Sequence, residues 1–251
     1  MSFYYIDNPA MPEGFIDAWR AGAQHFQNFF GKKLVWINPS PFNSMGTHLT
    51  FRLKKTLFFV FVDMGKSDFI RRRELFLHFS RNANAVPCRL PMSFQNEQWL
   101  PSYGQSGLLD AFTGESLNPF DIASDEKVEM SDWEVYDFAI QIVSNYISEN
   151  IGEVNNAQSN PSLFPAIWFQ SESQTSYVIV SAVRYPVKRA LPPHNMDEII
   201  HSFQHFKYSG FFASASIAHR DQEMTENSII VPLYRGDALI SNFPGIEAIN
   251  E

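Results

Sequence analysis

Cysteine is all but missing from this 251-residue chain, which holds only Cys88. A disulfide framework needs pairs, so that scaffold class is excluded. Long apolar runs are missing too. The best, Leu57 to Val62, is six residues long, far short of the roughly 18 that a membrane helix needs. Charge is sparse at 18%, against 45% hydrophobic residues, and such a chain folds around a core rather than staying solvated. The opening stretch, MSFYYIDNPAMPEG, lacks a basic segment followed by an apolar one. It does not read as a secretory signal, and a cytoplasmic protein of one or two domains is expected. Motifs are scarce as well. There is no GxSxG elbow, no GxxxxGK[ST] phosphate loop and no GxGxxG fingerprint, which weakens hydrolase, nucleotide-driven and dinucleotide chemistry.

What is present is aromatic. The chain holds 24 Phe, 9 Tyr and 5 Trp, whose rings bury large areas at small rotamer cost. Most such rings build a core, and some line partner surfaces, where aromatics are enriched. Their spacing is informative. Phe15, Trp19, Ala23, Phe26 and Phe30 mark one helix face, ended by Gly31. Strand-like runs follow at Leu34 to Ile37, His48 to Leu53 and Leu57 to Val62, the last two joined by a tight turn at Lys54 to Thr56. Phe69 to Phe79 reads as a helix and Val86 to Leu90 as a short strand bounded by prolines.

A similar order returns further on. Val135, Phe138, Ala139, Ile142, Tyr146 and Ile147 form a helix face, with Ser131 and Glu134 at capping-box spacing before it. Ala166 to Phe169 and Tyr177 to Val183 read as strands, Met196 to Phe206 as a helix and Phe211 to Ala218 as a strand. Landmarks in the two halves lie 118 (Phe51 to Phe169) to 127 (Phe69 to Met196) residues apart. An α+β protein is therefore expected, with two similar α-β-β-β-α-β halves at residues 1–92 and 132–251, packed through their sheets. Each half alone would bury little apolar surface, which is the physical reason to expect pairing. The stretch 93–131, with Pro101, Gly104, Gly107, Gly114 and Pro119, reads as the connector.

In its order of elements the chain resembles the restriction-endonuclease-like core. That resemblance implies an acid on the second strand and an acid-x-lysine pair on the third, which hold Mg²⁺ and steady the nucleophile. The second half has no acid in AIWF or YVIVSAV. The first half has only Asp63 near the right place, followed by Lys66 three positions on. Both halves thus depart from the catalytic pattern.

Charge is sorted along the chain. Arg52 to Asn96 carries nine Lys and Arg against three acids, and Glu97 to Glu172 carries thirteen acids against Lys127. Two basic stretches follow corresponding strands: Lys66 with Arg71, Arg72 and Arg73, and Arg184 with Lys188 and Arg189. These seven residues are the candidate anion- or partner-binding set, able to flank one groove if the halves pair. The competing account is neutralisation within the fold by the acidic middle segment.

Other candidates carry less. His201 and His205, with Glu198 one turn earlier, have the spacing of a metal pair, but Ser202 stands where a zinc peptidase keeps its general base. His194 and His219 would be needed as further ligands. Cys88 beside Arg89 reads as a buried filler rather than a nucleophile, and Asp237 in LYRGD as a turn. No catalytic residue, metal ligand or cofactor is therefore expected. The expected function is that of a non-catalytic interaction protein, an immunity or accessory factor that binds another macromolecule, a protein partner foremost. The alternative is a divergent nuclease-like or nucleic-acid-binding protein; no membrane association is expected.

Overall fold

The computed structural model describes residues 12–41, 45–65, 68–172, 174–203, 206, 208–221 and 229–249. The chain is α+β and divides into two compact units, residues 1–128 and 129–251. Among the described residues no helix is long and apolar enough to cross a membrane.

In the N-terminal unit, helix α1 (Phe15–Phe30) is followed by β1 (Val35–Trp36), β2 (Leu49–Leu53) and β3 (Thr56–Asp63). Helix α2 (Asp68–Asn82) then crosses over to β4 (Val86–Gln95), and β5 (Gln98–Pro101) and β6 (Leu109–Asp110) complete the sheet. The order is β1-β2-β3-β4-β5 with β6 on β4; β3 and β4 run parallel and every other pair antiparallel. The run LFFVFV is continuous because β3 is covered on both faces. Phe58, Val60 and Val62 join α1's Phe15, Phe26 and Phe30 in one core. On the other face Phe59 meets Phe79, and Phe61 meets Phe69 and Phe76 of α2, at ring separations of 5.2 to 6.0 Å. Gly46, in the left-handed region at φ +79°, lies so close to the Phe61 ring that a Cβ there would sit 2.6 Å from it.

The C-terminal unit begins with α4 (Asp132–Asn150), after the one-turn α3 (Pro119–Ile122) of the first unit. Then come β7 (Glu153–Ala157), β8 (Ile167–Ser171), β9 (Gln174–Arg184), α5 (Met196–Phe203), β10 (Ser209–His219), β11 (Leu239–Asn242) and β12 (Ile246–Ala248). The sheet order is β11-β10-β9-β8-β7, with β12 also on β10, and β9 and β10 are the parallel pair. Val178, Val180, Ala213, Ala215 and Ile217 pack under α4, while Tyr177, Ile179 and Phe212 pack with Ile199 of α5 on the other face. The capping box is formed as spaced. Ser131 Oγ accepts from Glu134 N, and Glu134 Oε2 accepts from Ser131 N.

Several elements differ from expectation. The stretch 93–131 is not a bare connector. It carries the end of β4 together with β5, β6 and α3, and its residues up to 128 belong to the first unit. Pro91 does not end β4. Its missing donor matters little, because parallel pairing with β3 stops there and its carbonyl still accepts from Ser102 N. β7, EVNNA, is an edge strand too polar to show alternation. Helix α5 is described over Met196–Phe203; residues 204 and 205 of the expected helix lie outside the described residues.

Candidate functional site

The basic residues singled out above go to different places. Lys66 lies outside the described residues. Arg71, Arg72 and Arg73 are consecutive on α2, so they point about 100° apart and do not share one face. Arg73 is occupied: its guanidinium donates to Ala111 O at 3.3 Å and Phe112 O at 3.0 Å, tying α2 to the loop after β6. Arg72 lies near enough to His48 for its charge to disfavour protonation of that ring. His48 itself is buried between Phe15 and Phe61, accepts from Val62 N at 3.0 Å through Nδ1, and has its pKa pushed down to about 3, chiefly by burial.

At the end of β3, Asp63 Oδ1 accepts from Gly65 N at 2.8 Å and Oδ2 stands 3.6 Å from Arg89 Nε. Arg89 also lies over the Phe69 ring. The one carboxylate near the nuclease-like position therefore closes a turn and faces an arginine, a partner that the sequence reading did not pair with it. Cys88 is fully buried, and burial pushes its thiol well above the ordinary range.

In the C-terminal unit the basic stretch builds a loop. Arg184, at the end of β9, donates to Met130 O at 2.6 Å and pairs with Asp132 at the start of α4. Arg189 makes a two-pronged pair with Glu247 of β12, Nη1 to Oε1 at 2.7 Å and Nη2 to Oε2 at 2.5 Å. That pair raises the Arg189 pKa and lowers the Glu247 pKa, first through the hydrogen bonds themselves. Between and beyond these anchors, two buried serines of β10 hold the loop backbone. Ser216 Oγ donates to Val187 O at 2.6 Å, and Ser214 Oγ accepts from Ala190 N at 2.7 Å. The loop is fixed at four points, yet Val187 is 50% and Leu191 83% exposed, with Lys188 exposed beside them.

The structure thus uses two of the three expected C-terminal cations as fastenings and leaves Lys188 outward. Sequence showed the charges but not the serines, whose alternation in ASAS (213–216) reads only as strand. It also gave no sign that exposed apolar side chains would flank them.

A second feature lies on the α5 side of the same sheet. A pocket of about 220 Å³ is lined by Tyr177, Ile200, Phe203, Tyr208 and Phe211, with Ala248 and Ile249 from the β12 edge. Gly210 also lines it, and having no side chain it lets the Tyr177 ring lie against the backbone: a Cβ there would meet the Tyr177 hydroxyl at 2.6 Å. Tyr177, Phe203 and Tyr208 each pack on Trp168, at ring separations of 5.8, 5.5 and 5.3 Å.

Of the metal-spaced residues, His201 is exposed near the end of α5 and His205 lies outside the described residues. His194 is exposed ahead of α5. His219 stands 3.8 Å from Asp237 and 4.0 Å from Asp221, beyond hydrogen-bond reach of either carboxylate. Asp237 closes a turn through its N–H on Tyr234 O. Among the described residues no three His, Cys, Asp or Glu side chains are grouped to hold a metal ion.

Residues 133–249 match the model of a family described as a domain of unknown function, DUF8840. The match runs from the first turn of α4 to the residue after β12, so the pinned loop and the aromatic pocket both fall within it. No curated protein and no solved structure matches the chain.

Proposed function

We propose that the chain is a non-catalytic interaction protein, an immunity or accessory factor, whose C-terminal unit engages a protein partner through the loop at residues 185–192. The observation that carries this is the contrast between how firmly the loop is held and what it shows to solvent. Two buried serine hydroxyls and two paired arginines hold it, and Val187, Lys188 and Leu191 are among its outward side chains. A loop already ordered loses little entropy on binding, and exposed apolar side chains supply the favourable term. A protein fits this surface better than a nucleic acid does. Arg184 and Arg189, which phosphates would need, are already committed to Asp132 and Glu247.

We also read the two units as copies of one α-β-β-β-α-β unit. In support, each has an opening helix, three antiparallel strands, a crossover helix and a fourth strand parallel to the third. Leu57 to Val62 and Tyr177 to Val183 fall in that third strand of their respective units. This order keeps a divergent nuclease-like protein as the alternative, although β2, β8 and β9 carry no carboxylate.

The test is affinity recovery of partners from the native host with the wild-type chain and with Leu191→Asp. A stoichiometric protein captured by the first and lost with the second supports the proposal. Nucleic acid recovered equally by both would overturn it in favour of the alternative.

A further inference from the structure

We infer that the aromatic pocket beside α5 is a binding site for a small organic cation, an alkylated ammonium head group or the like. This inference is independent of the loop. It stands on three observations. First, rings make up much of the lining: Tyr177, Phe203, Tyr208 and Phe211 contribute to it beside Ser209 and Gly210, and Tyr177 and Phe203 are in contact with each other at 4.8 Å. The ring faces of Tyr and Phe carry negative potential, and aromatic boxes of this kind recognise quaternary ammonium groups. Second, the rings are packed against further rings. Trp168 backs three of the rings, Phe206 stacks on Tyr208 at 5.5 Å, and Gly210 lets the Tyr177 ring lie against the β10 backbone. Third, the charge is complementary. No described lining residue is charged, while residues 129–251 hold fifteen Asp and Glu against six Lys and Arg, a balance of −9. A cation is drawn toward such a unit and an anion is repelled.

Size narrows the ligand. At about 220 Å³ the pocket is smaller than the roughly 300–1,000 Å³ of cofactor-sized sites, so it takes a head group rather than a whole nucleotide or lipid. The cation could be a free metabolite or the methylated lysine of a polypeptide. Both present the same alkylammonium chemistry.

The probes are choline, a trimethyllysine peptide, and 3,3-dimethylbutanol, the uncharged carbon isostere of choline, titrated by calorimetry and by ligand-observed NMR. Choline or the peptide should bind, and the isostere should bind at least about fivefold more weakly, in keeping with the contribution of a cation over a ring face. Tighter binding of the peptide than of choline would assign the polypeptide source, and the reverse the free metabolite. Tyr208→Leu, at a partly exposed ring, should weaken cation binding on the order of tenfold, whereas Tyr208→Phe should retain it. Circular dichroism reports whether each variant is folded. Equal binding of choline and the isostere, or no binding of either cation at tens of millimolar, would overturn the inference. Neither result bears on the loop, whose test reads a different substitution and a different partner.

Discussion

The Glu134 carboxylate receives the Arg235 guanidinium at 2.8 Å (Nε to Oε1) and 3.0 Å (Nη2 to Oε2), and both side chains are buried. The same Oε2 closes the capping box of α4 by accepting from Ser131 N and Oγ. One carboxylate thus fixes where α4 begins and anchors the segment around Arg235 ahead of β11, about a hundred residues away.

A buried pair broken on one side leaves an uncompensated charge. Arg235→Met should therefore destabilise the protein by about 3–5 kcal/mol in urea denaturation. Glu134→Gln added to it should restore part of that loss, because the remaining partner is then neutral. A double variant as unstable as the sum of the two single ones would refute this account of the pair.

His48 makes a pH prediction. Its folded pKa of about 3 lies below the ordinary 6.5 because burial penalises the cation. Below pH 6.5 the unfolded chain takes up a proton there and the folded chain does not, so stability falls as pH drops from 6.5 toward 3. The slope from this group approaches about 1.4 kcal/mol per pH unit in the middle of that window. His48→Asn, which keeps an acceptor for Val62 N, should be less stable at pH 7 yet lose less stability by pH 4.5. Denaturation midpoints measured at both values decide it.

Much of the fold was legible because period and burial coincide. Phe15, Phe26 and Phe30 repeat at helical spacing and lie in one core, and the Ser131–Glu134 spacing marks the α4 start. What was hidden depends on contacts distant in sequence. β5, β6 and β7 are short or polar and exist because a neighbouring strand offers its backbone. The loop's fastening was hidden for the same reason: Ser214, Ser216 and Glu247 are ordinary strand residues until the fold brings residues 187–190 onto them. The aromatic pocket draws Tyr177, Phe203 and Tyr208 from separate elements, and no spacing announces it.

Among the basic residues, burial and partners predict unequal effects. Arg184→Ala removes the bond to Met130 O and the pair with Asp132, and should cost about 1–3 kcal/mol. Lys188→Ala, at an exposed position, should stay within about 0.5 kcal/mol. Thermal unfolding of the two variants side by side checks the ordering, and a larger cost at Lys188 would contradict it.

The loop's serines offer the sharpest separation of stability from function. Ser216→Ala removes the donor to Val187 O, and Ser214→Ala removes the acceptor for Ala190 N. Each lost bond should cost about 0.5–1.5 kcal/mol, more where the backbone group stays buried and unpaired, which leaves a folded protein with a looser loop. Amide hydrogen exchange at residues 187–191 should then quicken while α4 and β9 keep their protection, since local opening need not involve the rest of the unit. If the loop is the partner's landing site, the variants should also bind more weakly, because ordering the loop now falls due on binding. Replacing both serines should weaken capture of the partner even though Val187, Lys188 and Leu191 are unchanged. Undiminished binding by a double variant whose loop exchanges freely would show that the partner does not read this loop's geometry.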